Sequence, residues 1–218
     1  MLHIYFVRHG QTDWNQLRRF QGQQDVPLNE LGRRQAEAIA GRLKGARFDA
    51  LYASDLSRAG QTAEIVNEHH GLPMARDVQL RERSFGCFEG HTIEESRQKY
   101  PELRAAYERD SLNFRIPGGE SRLEFIRRVG AFFEGLREKH ADQTVAIVAH
   151  GGVLGALFSH IISHKLGFSS PQFVPLFSVE NCSLSQLQHD ERWLVISLNE
   201  TEHLRELVSQ GRVVGEYA

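Results

Sequence analysis

The sequence predicts an α/β fold, a three-layer α/β/α sandwich around a mostly parallel central sheet with a small helical insertion. Short runs of apolar, β-branched and aromatic residues alternate with segments whose apolar residues recur at helical spacing. This alternation is typical of parallel strands that are joined by right-handed helical crossovers. A length of 218 residues suits one α/β domain over 1–218, with the insertion at about 90–116.

The first strand–helix unit lies at the start of the chain. Residues 2–7 form an apolar, β-branched and aromatic run, which predicts a buried strand. A polar loop follows over 11–27, and a loop of this length after a buried strand is often functional. Asn29 is typical of a helix N-cap, and the apolar residues behind it recur on one helical face.

The second unit repeats this order. Residues 48–53 predict a strand, and Ser54 or Asp55 is expected to cap the helix that follows. Strand, helix, strand and helix in succession imply parallel strands. A short extended segment over 76–83 comes next.

The charged stretch over 92–115 predicts helix and is interpreted as a lid-like insertion over the sheet edge. Pro101 breaks or begins a helix there, because proline cannot donate an N–H in a helix interior. The expected apolar stripe consists of Tyr100, Leu103, Tyr107 and Phe114.

The last part of the chain predicts helix, strand, helix and a hairpin. Ser121 and Glu124 have the spacing of a capping box. A strand is expected over 145–149 and an apolar helix over 153–166. Two strand-like runs with a short connection predict at least one antiparallel strand, at 183–188 and 192–198. The last twenty residues are polar and have no assigned structure.

Composition excludes several classes of protein. The chain is 40% hydrophobic and 25% charged with a net charge of −2, so no general attraction to nucleic acid or acidic membranes is expected. Cys87 and Cys182 lie far apart and predict free thiols in a reducing compartment. No segment resembles a signal peptide or a membrane span. We therefore expect a cytoplasmic protein.

Two predicted strands end on histidine and glycine. The first runs into Arg8, His9 and Gly10, and the later one into His150 and Gly151. A single strand-end histidine is more often structural. However, sites in parallel sheets form outside the carboxyl ends of strands, so the two imidazoles could share a pocket there, and the glycine turn could offer bare N–H groups to a phosphate. An arginine at the end of a buried strand must be paired or bind an anion.

Two further charged residues follow extended segments. Arg58 lies near the start of a helix that comes directly after a strand, where it could be a second anion ligand or a solvated arginine. Glu82 lies between two arginines, and its position alone favours a catalytic carboxylate no more than a surface one.

Four blocks of sequence carry a resemblance to a known family. In chain order they are Arg8-His9-Gly10, Ser54-Asp55-Leu56-Ser57-Arg58 with Gln61-Thr62-Ala63, Leu80-Arg81-Glu82, and His150-Gly151. Their order and spacing resemble the histidine phosphatase superfamily, in its phosphoglycerate-mutase-like branch. Residues 117–121 are similar to another recurrent segment of that branch. The resemblance covers most of the chain and implies a phosphoglycerate-mutase-like fold.

The resemblance also implies roles for the residues. His9 is the nucleophile that becomes phosphohistidine, and Glu82 is the proton donor and acceptor. The phosphoryl group is held by Arg8, Arg58 and His150, and the pocket is lined by Asn15, Gln21 and Gly22. Phosphoryl transfer needs mainly in-line positioning and neutralised charge, which two arginines and a histidine supply without a metal or another cofactor.

The interval between Gly90 and Ile116 bears on the choice between phosphatase and mutase. True mutases of the family carry a longer insertion there, with an adjacent arginine pair for the second acidic group of the substrate. Here the basic residues are scattered, at Arg97, Lys99, Arg104, Arg109 and Arg115. We expect water to take the phosphoryl group, as in a histidine acid-type phosphatase (a phosphoric monoester hydrolase). The alternatives are a cofactor-dependent phosphoglycerate mutase and a phosphatase dedicated to one pathway intermediate, such as alpha-ribazole phosphate.

Two other classes of protein remain open. A metallohydrolase could use His9, Glu82 and His150 as ligands, although Arg8 and Arg58 would repel a divalent cation. A phosphate-binding protein without turnover would use the same arginines. The expected partners are a small phosphate ester and, as product, inorganic phosphate, with neither nucleic acid nor membrane. The sequence allows a homodimer.

Overall fold

Six strands form one mixed sheet in the part of the chain that the computed structural model describes, residues 1–165 and 178–208. They are β1 (Leu2–Arg8), β2 (Ala50–Ser54), β3 (Met74–Asp77), β4 (Thr144–Ala149), β5 (Leu184–His189) and β6 (Trp193–Glu200). Their order across the sheet is β3-β2-β4-β1-β5-β6. The first four strands are parallel, β5 is antiparallel to β1, and β6 is antiparallel to β5. The mostly parallel sheet and the final hairpin are therefore confirmed.

Helices cover both faces of this sheet. Over the described residues they are α1 (Asp13–Gln16), α2 (Glu30–Leu43), α3 (Ser57–Asn67), α4 (Ile93–Lys99), α5 (Pro101–Arg109), α6 (Arg122–Lys139), α7 (Gly151–Lys165) and α8 (Arg205–Val208). Helices α2 and α3 pack together on one side of the sheet, and α6 and α7 pack together on the other. The predicted three-layer sandwich is confirmed.

The alternation of side chains along β1 divides the core into two halves. Ile4 and Phe6 are buried with Phe133 of α6 on one face, whereas Val7 is buried with Ile39 of α2 on the other. Each side chain of this size contributes about 1.5–3 kcal/mol when it is fully buried. Since both faces of β1 are packed in this way, its carboxyl end has a fixed position.

β1 and β4 lie side by side and end together. Arg8 is opposite Ala149 in the parallel register, and the N–H of His9 donates to the Ala149 carbonyl at 2.9 Å. The residue that follows each strand is a histidine. His9 and His150 therefore leave the sheet beside each other, at the edge where the sequence predicts a site.

Two helix starts agree with the sequence prediction. The Asn29 side chain accepts the Gly32 N–H at 2.8 Å at the start of α2. Ser121 and Glu124 form a reciprocal capping box at the start of α6. Both caps satisfy N–H groups that have no partner within their own helix.

The predicted cap of α3 is wrong. That helix begins at Ser57, and the residue before it provides no side-chain cap. β2 continues through Ser54, whose hydroxyl accepts the N–H of Leu56 before the helix at 3.4 Å and lies 2.9 Å from His150 Nε2. Asp55 accepts two N–H groups of Arg81, with the Nε bond at 2.7 Å.

Helices α4 and α5 occupy the predicted insertion, and Pro101 is the first residue of α5. The predicted apolar stripe is only half-buried. The buried residue of α5 is Arg104, whose guanidinium lies 5.3–5.8 Å from the ring centroids of Phe20, Phe88 and Tyr107. Stacking on aromatic faces lets an arginine be buried where the sequence pattern expects an apolar residue.

Some predictions concern residues beyond the described ranges. Helix α7 is described as far as Lys165, and Leu166 lies outside. Of the last twenty residues, 209–218 also lie outside. No helix among the described residues is long and apolar enough to cross a membrane. The cytoplasmic location, the homodimer and the absence of a nucleic-acid partner stay predictions.

Candidate active site

His9 is the first residue after β1, and its ring is held in one tautomer. Nδ1 lies 2.7 Å from the Gly10 carbonyl oxygen, which can only accept, so Nδ1 carries the proton. The residue is 3% exposed, and burial together with the charges of Arg58 and Arg8 holds the pKa of His9 well below its usual value. At neutral pH the ring is therefore uncharged, and Nε2 has a lone pair for a nucleophilic or ligand role.

His150 is the first residue after β4, and its ring centroid lies 5.1 Å from that of His9. Burial and the charge of Arg58 also hold the pKa of His150 well below its usual value. Nε2 is bonded to the Ser54 hydroxyl, whereas Nδ1 is buried with no hydrogen-bond partner among the described residues. When Ser54 donates to Nε2, the ring proton lies on Nδ1. The result is a buried N–H that requires an acceptor.

Arg58 lies in the first turn of α3 and is fully buried. Its two Nη groups donate to the carbonyl oxygens of Gln24 and Gly22, each at 2.8 Å, and Nε has no hydrogen-bond partner among the described residues. Burial lowers the pKa of Arg58 to about 10, so the guanidinium is still charged at neutral pH. A buried cation that is held by neutral carbonyls is suited to bind an anion.

The loop before β5 holds the Arg8–His9 segment through one side-chain bond and two bonds to backbone carbonyls. Nη1 of Arg8 donates to the Val179 carbonyl. The Cys182 N–H donates to the Arg8 carbonyl at 3.0 Å, and the Asn181 amide donates to the His9 carbonyl at 3.0 Å. These bonds hold His9 from the side opposite to β4.

Glu82 follows the 3-10 turn Val78–Leu80, and its carboxylate is held by two backbone groups. Oε1 accepts the Arg83 N–H at 2.8 Å, and Oε2 accepts the Gly152 N–H at 3.0 Å in the first turn of α7. A Cβ at position 152 would lie 2.0 Å from Oε1, so glycine permits this close approach. Behind the segment, Arg128 donates to the Glu82 carbonyl at 3.3 Å and to two carbonyls before it.

The loop after β1 contributes the remaining predicted residues. Oδ1 of Asn15 accepts the Thr12 N–H at 3.1 Å and the Asn181 amide at 3.3 Å, so Nδ2 is the part of the Asn15 amide left to bind an anion. Gln21 uses its Oε1 within the loop, where it accepts the Thr12 hydroxyl at 2.9 Å. Gly22 has a φ of +53°, which favours glycine, and contributes the carbonyl oxygen described above.

The sequence-predicted residues thus lie on four segments that meet at one edge of the sheet. Gly151 begins α7 directly after His150. Sequence reasoning missed three residues that position the others: Ser54, Asn181 and Arg128. Arg128 interrupts the apolar pattern of α6 and could have been noticed, whereas nothing in the sequence singles out Asn181 in its loop.

The arrangement has the groups that phosphoryl transfer requires. A neutral imidazole can attack phosphorus, buried guanidinium and imidazole N–H groups can neutralise phosphoryl oxygens, and a carboxyl group can move a proton. Within the described ranges, no three His, Cys, Asp or Glu side chains are grouped as ligands for a metal ion.

Comparisons with known proteins agree with this geometry. The model of the histidine phosphatase superfamily (branch 1) matches residues 4–201. The probable phosphoglycerate mutase GpmB of Yersinia pestis (strain Pestoides F) is 37% identical over 210 residues, which cover 94% of this chain and 95% of that protein.

Solved structures are similar over the same length. A mycobacterial glucosyl-3-phosphoglycerate phosphatase, in complex with VO3, superposes with a TM-score of 0.77 at 33% identity and covers 91% of this chain and 99% of its own. The alpha-ribazole phosphatase of Shigella flexneri superposes with a TM-score of 0.78 at 28% identity and covers 91% of this chain and 96% of its own.

Proposed function

Because this chain belongs to branch 1 of the histidine phosphatase superfamily, we propose that it is a phosphomonoesterase that acts through a phosphohistidine on His9 and needs no metal ion. The main observation that supports this proposal is the protonation state of the His9 ring. The ring is neutral, Gly10 holds its Nδ1 proton, and Nε2 has a free lone pair beside the buried cation of Arg58. A neutral nucleophile among fixed positive charges suits attack on an anionic ester.

In the first half-reaction, Nε2 of His9 attacks phosphorus. The N–P bond forms while the bond from phosphorus to the ester oxygen breaks, and Glu82 gives its proton to the departing oxygen, so that a neutral alcohol leaves. Arg8, Arg58 and His150 donate N–H groups to the non-bridging oxygens, whose charge must be stabilised in the transition state.

In the second half-reaction, water takes the place of the alcohol. Glu82 accepts a proton from the water as its oxygen attacks phosphorus, and the electron pair of the N–P bond returns to Nε2. Inorganic phosphate leaves, and His9 is again neutral with its proton on Nδ1. Glu82 ends the cycle protonated, as it began.

The basic residues of the insertion support hydrolysis over transfer back to the product. Arg97 and Arg104 both pair with Glu108, at 3.1 and 3.0 Å, and Arg115 pairs with Glu124 at 3.1 Å. Cations that already pair with carboxylates of the protein are less available to retain an acidic product. We therefore expect the product to leave before it can recover the phosphoryl group.

The contacts of the insertion favour a fixed wall over a swinging lid. The Phe88 ring, on the segment before the insertion, lies 6.0 Å from the Tyr100 ring and 6.3 Å from the Tyr107 ring. Arg19, on the loop after β1, pairs with Glu95 of the insertion. Phe88 is fully buried and is not exposed to a substrate, whereas Phe85 is half-buried. We propose that residues 90–116 cover the alcohol portion of the substrate.

A phosphoglycerate mutase is the alternative that one observation favours, namely the name of the 37% identical relative. A phosphatase dedicated to alpha-ribazole phosphate is a further alternative, because a solved neighbour bears that name. The mutase differs from a general phosphatase because it returns the phosphoryl group to the product, whereas the dedicated phosphatase differs in the alcohol that it recognises.

The test is phosphate release from an aryl phosphate in excess chelator, alongside mutase activity on 3-phosphoglycerate. We expect turnover of the aryl ester that chelator does not reduce, with negligible mutase activity. Strong mutase activity would support the alternative. Loss of all turnover with chelator would assign His9 and His150 to a metal site instead.

A further inference from the structure

Glu89 lies where two loops of the site meet, and no role is predicted for it from the sequence. Its Oε1 accepts the Gln23 N–H at 3.1 Å, the Phe85 N–H at 2.9 Å and the Ser84 hydroxyl at 3.3 Å. Its Oε2 accepts the Gln24 side-chain amide at 3.0 Å. One carboxylate thus joins residues 23–24, after β1, to residues 84–85, after Glu82.

The two loops orient or contain residues of the proposed mechanism, namely Arg58 and Glu82. The carbonyls of Gly22 and Gln24 are the two acceptors of the Arg58 guanidinium. The Gln23 side chain donates to the Glu82 carbonyl at 3.3 Å. The two residues that Glu89 holds in this loop, Gln23 and Gln24, are therefore within one residue along the chain of each carbonyl that orients Arg58.

The conformation of this turn explains why an acceptor is needed. Gly22 has a positive φ, and the turn directs two carbonyls at one guanidinium, so the Gln23 N–H has no partner within a regular element. A Cβ at position 22 would lie 2.0 Å from Glu89 Oε1, which shows how closely the carboxylate packs against the turn. Burial lowers the pKa of Arg58 overall, and the negative charge of Glu89, after those of Glu82 and Asp25, opposes this shift and favours the charged form.

We propose that Glu89 is a positioning residue, which fixes the 22–24 turn whose carbonyls orient Arg58 and thereby sets the affinity of the site for the phosphoryl group. The inference rests on the proposed function, since it takes the ligand of Arg58 to be a phosphoryl group. We expect Glu89 to act through the position of Arg58, because small misplacements of a binding group have large effects on reactivity.

The experiment measures inorganic phosphate binding by calorimetry, with KM and kcat for 4-nitrophenyl phosphate, in the full chain. We expect Glu89→Ala to weaken phosphate binding by about 10- to 100-fold and to raise KM. Glu89→Gln keeps the size and one carbonyl acceptor and is expected to stay within about threefold of wild type. Glu89→Asp keeps the charge but is one methylene shorter, so it cannot reach both loops and should resemble the alanine variant.

Glu124→Ala is the matched control. Glu124 is also a carboxylate that accepts a backbone N–H, from Ser121 at 2.8 Å, but at the start of α6. Its loss should lower the melting temperature and leave phosphate affinity within about twofold of wild type. The same loss of affinity in this control would overturn the inference, because general destabilisation would then explain it.

Other outcomes separate the inference from the proposed function. Unchanged phosphate affinity in Glu89→Ala overturns the inference, as does wild-type affinity in Glu89→Asp with a loss in Glu89→Gln. If the alanine variant does not fold, the aspartate and glutamine variants carry the test. A wild-type protein that binds phosphate but hydrolyses no aryl phosphate contradicts the proposed function and still allows the comparison of variants. A wild-type protein that binds no phosphate contradicts both.

Discussion

Among the described residues, buried histidines form two clusters, whose polar atoms differ in how completely they are hydrogen-bonded. At the carboxyl ends of β1 and β4, His9 and His150 lie beside Arg58, and the His150 Nδ1 and the Arg58 Nε have no hydrogen-bond partner among the described residues. Between α6 and β4, His140 is also buried, at 6% exposed. Its Nε2 lies 2.8 Å from the Tyr52 hydroxyl and its Nδ1 is bonded to the Gln143 Oε1.

The difference is a criterion by which the histidines proposed to be reactive can be told from a structural one. In the second cluster, called here the His140 cluster (Tyr52, Lys139, His140 and Gln143), both ring nitrogens have partners and Lys139 donates to the Tyr52 hydroxyl at 2.9 Å. In the first, called here the His9 cluster (His9, Arg58 and His150), buried donors remain for a ligand. Since buried polar groups are nearly always paired, a group of unpaired donors is the more informative observation.

Removal of His9 is the strongest test of this contrast. His9→Ala should lower kcat by more than about 10⁴-fold, because no other group among those described can replace the nucleophile. Wild-type enzyme quenched during turnover should carry an acid-labile, base-stable phosphate that is absent from the variant. His140→Ala is the control, with kcat within about threefold of wild type and a lower free energy of unfolding. Appreciable turnover by His9→Ala would falsify the nucleophile assignment.

Glu82→Gln tests whether the His9 cluster works with a proton donor. Alkyl phosphates have poor leaving groups that need a proton, whereas aryl phosphates do not. We expect kcat to fall by about 10²- to 10⁴-fold for an alkyl ester and by much less for 4-nitrophenyl phosphate. An equal loss on both esters would mean that Glu82 acts only through the N–H groups of Arg83 and Gly152.

The sequence was enough to predict that the two histidines of the His9 cluster lie close together. Strand periodicity and the strand–helix order place His9 and His150 at one sheet edge, and the register between Arg8 and Ala149 confirms it. The family and the fold class were likewise predicted from the blocks of sequence that carry the resemblance, and both are confirmed. The roles of the individual residues stay predictions.

Other features could not be predicted because they depend on contacts between distant segments. Asn181 reaches the His9 carbonyl only because β5 pairs with β1, a register that the sequence does not specify. Arg104 is buried because three rings from separate segments surround it. Ser54 was assigned to the wrong partner because the end of a strand and the start of a helix cannot be located within two residues by pattern alone.

The pH dependence of the free energy of unfolding should reveal the contribution of the two histidines in the His9 cluster. The folded-state pKa values of His9 and His150 lie below the unfolded value of about 6.5, so the unfolded chain binds more protons below that pH. Stability is therefore full above about pH 6.5 and falls as the pH decreases below it. Each histidine can contribute a slope of up to about 1.4 kcal/mol per pH unit.

Urea unfolding in phosphate-free buffer at pH 7.5, 6.5 and 5.5 measures this slope. Phosphate must be absent because a ligand of the folded state would add its own stabilisation. The variant His150→Gln should lose the contribution of one histidine to the slope. An identical slope in wild type and variant would contradict the neutral state assigned to the His150 ring.

Tyr52→Phe tests the His140 cluster by itself. The substitution removes one hydroxyl and leaves the His140 Nε2 and the Lys139 amine without that partner, while the ring keeps its contacts with Phe132. We expect the free energy of unfolding to fall by about 1–3 kcal/mol, the usual range for a buried polar group that loses its partner. Since β2 would stay packed and Ser54 at its end would still meet His150, kcat and KM for an aryl phosphate should change by less than about twofold. A large loss of kcat without a loss of stability would mean that the two clusters are coupled through β2, and that complete pairing of polar atoms does not by itself mark a histidine as structural.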